Sequence, residues 1–372
     1  MNPPDAFTLF INPRHGTPGL TILSSGGFRR AKAIIAGWEG YAPTPLHDLP
    51  RLSQQAAVAT IRIKDEGTRF GLGSFKALGG AYAVANLLAA EQARHGTNPT
   101  SITVTCATDG NHGRSVAWGA SRFGCQCVIF VHETVSPGRA DAIAHYGATV
   151  IRVPGTYDDA VREADRQAAI NGWFVVSDTS YPGYTEIPRD VMQGYRVMAD
   201  EAADQWTGPP PTHVFMQAGV GGAAAAVSVQ MRARFTPAPL LVIVEPERAA
   251  CLLASAQAGG MASVPGELDT IMAGLACGEP SLIAWQELER AAFAFVAIPD
   301  RAAIDTMRAL AADGLRIGES GVAGLAVLRL IIADPAARSA LRIDAASRVL
   351  LFGTEGVTDQ AVYESLLNSP PN

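Results

Sequence analysis

Short β-rich runs alternate with helical ones across most of this 372-residue chain, and no other feature restricts its fold as much. Val58–Lys64, Ile102–Cys106, Cys127–Val131, Thr149–Val153 and Phe174–Ser177 read as buried strands, followed by His213–Gln217, Leu240–Val244 and Arg348–Phe352. Helical stretches fall between them, near Phe75–Arg94, His112–Phe123, Gly138–Tyr146, Tyr157–Asn171 and Ala223–Phe235. Strand–helix alternation of this kind predicts an α/β architecture, doubly wound around mainly parallel sheets. Ligands in such sheets sit beyond the carboxyl ends of the strands, so the loops that follow strands are where chemistry belongs. The first fifty residues, rich in Pro and Gly, read as an irregular wrapping arm, and Thr207-Gly208-Pro209-Pro210-Pro211 as a surface connection.

Composition narrows the class. Hydrophobic content of 48%, charged content of 17% and 37 glycines describe a well-buried globular protein. A net charge of −6 without a basic cluster argues against nucleic acid as a partner. The stretch MNPPDAFTLFINPRHG has no basic n-region or apolar h-region, so no signal peptide is expected. The longest apolar run, Gly321–Ile332, is interrupted by Arg329 and too short for a bilayer, so the expected setting is the cytoplasm with no membrane contact. Five cysteines make no C-x-x-C pair, and seven scattered histidines show no metal-binding spacing; no metal site is expected.

Four post-strand loops carry chemistry. Val58–Lys64 empties into a glycine-dotted loop that ends at Ser74-Phe75-Lys76, with Lys76 at the first turn of an apolar helix. A helix N-terminus disfavours a second positive charge, so this lysine is expected to lose its proton easily. A neutral amine is what attacks an aldehyde. The competing reading is a surface lysine whose stem lies along the helix. After Ile102–Cys106 comes Ala107-Thr108-Asp109-Gly110-Asn111-His112-Gly113, where glycines flanking Asn111 admit a ligand close to the backbone and helix N–H groups can hold a carboxylate. The same motif also fits a plain turn and N-cap. Asp109 does not help bind a carboxylate and makes better sense as an acid/base group. Asp178 follows Phe174–Ser177, where a turn aspartate is also common.

The fourth loop, Ala218-Gly219-Val220-Gly221-Gly222-Ala223, opens an Ala-rich helix after His213–Gln217 and reads as a phosphate cradle. Its rival is a dinucleotide fingerprint: Gly219, Gly221 and Ala224 fit G-x-G-x-x-A, and Glu245 lies at the distance of a ribose-binding acid. That NAD-dependent dehydrogenase reading leaves Lys76 and both aspartates unexplained. A reactive lysine, an asparagine loop and a phosphate cradle together call for a ligand with an aldehyde, an aromatic ring and a phosphate, and pyridoxal 5′-phosphate (PLP) has all three.

Ser-Phe-Lys, T-D-G-N-H-G and G-V-G-G, in this order, resemble the fold type II PLP enzymes, the tryptophan synthase β-like group. Within that group the chain is similar to the diaminopropionate ammonia-lyase family, through Lys64–Tyr82, Ala107–Trp118, Ser177–Tyr195, His213–Gly222, Thr270–Trp285 and Leu351–Asp359. The resemblance implies two doubly wound α/β domains, a large PLP-binding one from residues 1–78 and 190–372 and a small inserted one from 79–189. It implies that Lys76 carries PLP as a Schiff base and Asn111 touches the ring's phenolic oxygen. Gly219, Val220, Gly221 and Gly222 would bind phosphate, and Thr354 would sit by the pyridine nitrogen, with Glu319 the rival for that place. Thr108, Asp109, Gly110, His112 and Asp178 would contact substrate. Asp178 would take the Cα proton of the L-substrate and Asp109 that of the D-substrate.

The implied reaction is α,β-elimination of ammonia from D- and L-2,3-diaminopropionate, giving pyruvate and two ammonia, in a homodimer. Ser180-Tyr181-Pro182 departs from the family's Ala-Trp-acidic pattern, and Ser74 and Ala81 are as dehydratase-like as lyase-like. The alternatives are therefore a serine/threonine dehydratase or another β-eliminating lyase, and, from a different class, a binding protein on a degenerate enzyme fold. Cys251 and Cys277 lie where family members carry a cysteine pair, so a disulfide bracing an active-site loop competes with two free thiols, which a reducing cytoplasm favours.

Overall fold

The computed structural model of the chain describes residues 7–369. In chain order its strands are β1 (Thr8–Ile11), β2 (Leu46–Asp48), β3 (Thr60–Asp65), β4 (Thr103–Ala107), β5 (Gln126–His132) and β6 (Thr149–Val153). β7 (Phe174–Val175), β8 (His213–Gln217), β9 (Leu240–Pro246), β10 (Ala292–Ile298) and β11 (Arg348–Gly353) follow. They form two sheets, each inside its own packing unit.

The first unit comprises the segment ending at Ile22, Pro43–Thr68 and the chain from Met198 onward. Its sheet has the order β1-β10-β9-β8-β11-β3-β2. The five inner strands pair in parallel, while β1 and β2 close the two edges antiparallel. Parallel strands need cover on both faces, and β8 and β10 are buried at every residue. Ile61, Phe215, Val244, Val296, Leu325 and Leu351 share its main apolar core. The second unit, Leu23–Ala42 and Arg69–Val197, holds an all-parallel sheet ordered β6-β5-β4-β7.

The expected α/β class with mainly parallel sheets is what the chain adopts, but three strands differ from expectation. β1 and β2 lie in the stretch read as an irregular arm, which also contains the helix Ser25–Ala36, capped by Ser24 accepting from the Gly27 N–H at 3.0 Å. β10 follows the helix Leu282–Ala291 without an intervening turn residue, so no break in the sequence announces it. The unit boundaries also depart from 78/79 and 189/190: residues 23–42, 69–78 and 190–197 pack with the second unit.

Packing of the helix Ala77–His95 accounts for that shift. A Cβ on Gly80 would stand 2.0 Å from Ser115 Oγ, and one on Gly79 2.3 Å from a Tyr195 ring carbon. A Cβ on Gly194 would meet the Leu78 carbonyl oxygen at 1.8 Å. Glycine alone allows these approaches, and they clamp the start of the helix between two neighbours of its own unit. Among the described residues, no helix is long and apolar enough to cross a membrane.

Candidate active site

In the second unit, three strands deliver chemistry to one carboxyl edge. Lys76 is the N-cap of the helix Ala77–His95, with no side-chain cap of its own. Its Nζ donates to Asp178 Oδ2 at 2.6 Å, and the rings of Phe75 and Tyr195 lie 5.4 and 5.7 Å from that nitrogen. The helix start alone suggested an easily lost proton; the structure adds a carboxylate partner 102 residues away in the chain. Burial would push the Asp178 carboxyl up, but the Lys76 ammonium and the hydrogen bond it donates outweigh that and hold the group below the usual carboxylate range.

His112 sits behind this pair. Burial pushes its imidazole down, so the ring is neutral at pH 7, and Nε2–H donates to the Val176 carbonyl at 2.7 Å. That leaves Nδ1 as a buried lone pair with no hydrogen-bond partner, 3.8 Å from Asp178 Oδ2. A buried acceptor in this state suits a site where a proton arrives on the neighbouring carboxylate.

The loop after β4 is shaped by Thr108. Its buried hydroxyl accepts from the N–H groups of Gly110 and Gly113, each at 3.0 Å, so this candidate substrate contact is turned into its own loop. Gly110, at φ +150°, is the N-cap of the helix Asn111–Phe123, and Asn111 and His112 form its first turn. Asp109 projects from the same loop, where Oδ1 meets His132 Nε2 at 2.7 Å. His132 has no place in the sequence reading. The signal that could have found it is register: Ala107 pairs with Phe130, and Asp109 and His132 each lie two residues further along parallel neighbours. Behind Asp178, the Tyr184 hydroxyl accepts from the Ser177 N–H at 3.0 Å and donates to the Val175 carbonyl at 2.8 Å. Tyr181 and Tyr184 stack at 5.1 Å, which gives the departing Ser180-Tyr181-Pro182 segment its own closed hairpin.

In the first unit, Gly219–Gly221 lead from β8 into the helix Gly222–Arg234. Gly221 caps that helix at φ +95° without a side-chain bond, and its first turn carries no acid, so its N–H groups can meet an anion. The loop is backed closely: a Cβ on Gly219 would lie 2.8 Å from Cys277 Sγ, and one on Gly221 3.1 Å from Leu288. Val220 is pinned where its carbonyl accepts from the Ser281 N–H at 2.9 Å. Cys251 and Cys277 are not joined in a disulfide. Thr354 is buried just after β11, and Gln217 Nε2 donates to its Oγ1 at 2.8 Å. Accepting that bond leaves the threonine its own proton to donate to an uncharged ring nitrogen. Gln217 is a second residue the sequence reading passed over.

The dehydrogenase rival fails at Glu245. This residue is fully buried, and its two carboxyl oxygens accept the N–H groups of Leu252 and Leu253, both at 2.8 Å, at the start of the helix Cys251–Ala258. A carboxyl group so engaged is closed to a ribose. The uncapped glycine cradle and buried hydroxyl donor of the first unit, and the lysine amine among aromatic rings of the second, are each of a kind that PLP requires.

Comparison with known proteins agrees with this donor set. The family model "Pyridoxal-phosphate dependent enzyme" matches residues 38–354. Diaminopropionate ammonia-lyase of Escherichia coli (strain K12) is 42% identical over 369 residues, covering 93% of this chain and 92% of that protein. The selenomethionine holo structure of the Escherichia coli enzyme superposes with a TM-score of 0.91 at 36% identity, covering 98% of this chain and 97% of that one. A second structure of that enzyme, in complex with an aminoacrylate–PLP azomethine reaction intermediate, superposes with a TM-score of 0.90 at 36% identity and the same coverage. The chain belongs to the pyridoxal-phosphate-dependent enzymes of fold type II, and within them to the diaminopropionate ammonia-lyase family.

Proposed function

We propose that this chain eliminates ammonia from both enantiomers of 2,3-diaminopropionate, with pyruvate and two ammonia as the final products. The observation that carries the reading is the Lys76–Asp178 contact at 2.6 Å, with a second carboxylate, Asp109, on the neighbouring strand's loop of the same sheet edge. Bound PLP supplies the electron sink that makes Cα–H acidic and lets the β-amino group leave.

The chain's own groups supply the rest. Lys76 would hold the cofactor through its side-chain amine, which faces the rings of Phe75 and Tyr195. Asp178 receives the Cα proton of the L-substrate, with His112 Nδ1 beside it as an acceptor in reserve. Asp109 receives the corresponding proton of the D-substrate. Gly219–Gly222 bind phosphate through backbone N–H groups. Asn111 would orient the cofactor ring, and Thr354, fixed by Gln217, would offer its hydroxyl proton to an uncharged ring nitrogen, an arrangement suited to elimination over transamination. Gly110 allows close approach of the substrate carboxylate. Released aminoacrylate hydrolyses in water to pyruvate and the second ammonia. We place the enzyme in the cytoplasm and, by the same resemblance, as a homodimer; light scattering of the purified protein reads the second point directly.

The test is pyruvate release from D- and L-diaminopropionate set against D- and L-serine and threonine. Diaminopropionate should give the highest kcat/KM. A large preference for serine makes the chain a dehydratase and overturns the reading. Borohydride reduction followed by peptide mass spectrometry should locate the cofactor on Lys76, and a label on any other lysine removes Lys76 from its role.

A further inference from the structure

We propose that His132 is the positioning residue of Asp109, and that the two act as a dyad. The inference rests on the reading of Asp109 as the base for the D-enantiomer. It goes beyond that reading by assigning a function to a side chain outside every motif the sequence offers.

The dyad is a product of strand register. β4 and β5 are parallel neighbours with Ala107 opposite Phe130, so two further residues on each side bring Asp109 and His132 to the same level. Their contact, Asp109 Oδ1 to His132 Nε2 at 2.7 Å, has the length of a charge-assisted hydrogen bond, and both side chains are mostly buried. An ionised carboxylate only accepts, so Nε2 carries the proton and donates it. At the far side of the ring, Nδ1 lies 2.9 Å from Thr134 Oγ1. A hydroxyl can donate to a bare Nδ1 or accept from a protonated one, so both bonds survive in either charge state of the imidazole.

The support beneath the ring is equally specific. Arg152 Nη1 donates to the carbonyls of His132, Glu133 and Val135 at 3.1, 2.8 and 2.8 Å, and fixes the segment on which the imidazole stands. The edge of the ring meets Tyr157 with centroids 6.5 Å apart. Thr108 pins the backbone of this loop through the N–H groups of Gly110 and Gly113, and His132 supplies the hydrogen bond to the Asp109 side chain itself. With Oδ1 occupied by His132, the carboxylate is held in one rotamer and presents Oδ2 as the oxygen that receives a proton. Asp178 is held differently, by the amine of Lys76. The two bases therefore answer to different supports, and a change at His132 acts through Asp109.

Three variants of the PLP-loaded enzyme decide the matter, each assayed for kcat and KM on separate D- and L-diaminopropionate, with the visible cofactor band recorded as the check on an intact site. Asp109→Asn should lower the D/L ratio of kcat by about 10²–10⁴, the range for a lost general base. His132→Leu should reproduce the enantiomer profile of Asp109→Asn at smaller amplitude, on the order of 10²-fold in kcat, the cost of a misplaced catalytic group. His132→Gln, which carries an N–H at similar reach, should recover most of that loss. A His132→Leu profile that differs from that of Asp109→Asn overturns the dyad, and so does a His132→Gln variant no better than leucine. Failure of the underlying reading has a different signature: Asp109→Asn then depresses both enantiomers equally, whether or not His132→Leu follows it.

Discussion

Asp178 owes its charge to its neighbours. Burial on its own would raise this carboxyl; beside the Lys76 ammonium it stays ionised well below the usual carboxylate range. An ionised group 2.6 Å from the lysine nitrogen can accept a proton as soon as the lysine leaves it. Asp178→Asn should therefore lower L-diaminopropionate turnover by about 10²–10⁴-fold and raise the D/L ratio accordingly, as measured by pyruvate release from each enantiomer. Equal loss on both would remove Asp178 from its assigned role. Lys76, Asp109 and Asp178 were legible one at a time, because each sits in a glycine-rich or turn-rich loop after a strand. Their partners were not. The Lys76–Asp178 contact spans 102 positions, and a lone histidine closing β5 has no motif around it. Thr108 was legible as part of the loop, but its hydroxyl serves the loop's own N–H groups.

Among the elements, the helix Cys251–Ala258 shows how far a second layer reaches. Its first N–H groups end on Glu245, Leu252 comes within 3.3 Å of where a Cβ on Gly221 would be, and Cys251 Sγ lies 3.7 Å from the Gly219 carbonyl. Glu245 is thus the anchor of the helix that backs the glycine cradle. Burial pushes its carboxyl from 4.5 up to about 8, against the two N–H groups that favour the charged form. The folded chain then holds a proton that the unfolded chain has released between those limits. Stability from this group is complete below the lower limit and is lost as pH rises through about 8. The wild-type thermal midpoint should accordingly fall more steeply from pH 5 to 8.5 than that of Glu245→Gln. That variant should start lower, since one buried N–H left without its acceptor costs about 1–3 kcal/mol. Parallel slopes in the two proteins would sink the assignment. Sequence placed Glu245 at the end of a strand and at ribose-binding distance; only the packed helix in front of it separates an anchor from a ligand. The helix starts were read to within a residue or two, because Asn111, Tyr157 and Gly222 each follow a turn or capping residue. The seven apolar residues of β10 were missed because helix passes into strand with no glycine or proline between them.

For the whole molecule, the α/β class was legible from alternation, whereas the division into units was not. Both units draw on segments far apart in sequence, and glycine contacts at Gly79, Gly80 and Gly194 decide where the Lys76 helix belongs. The short edge strand β1 has a consequence for handling the protein. Its residues Thr8–Ile11 cover the free side of β10, an uncharged strand reading Ala-Phe-Ala-Phe-Val-Ala-Ile. A chain trimmed to begin at Asn12 should fold its remaining sheet with that edge open, and an apolar edge of such length is a template for pairing with further copies. Centrifugation after expression should find the trimmed chain in the pellet and the full chain in the supernatant; equal recovery would show the edge to be harmless. Thr8–Ile11, remote in sequence from every candidate catalytic group, then serve as a guard against aggregation.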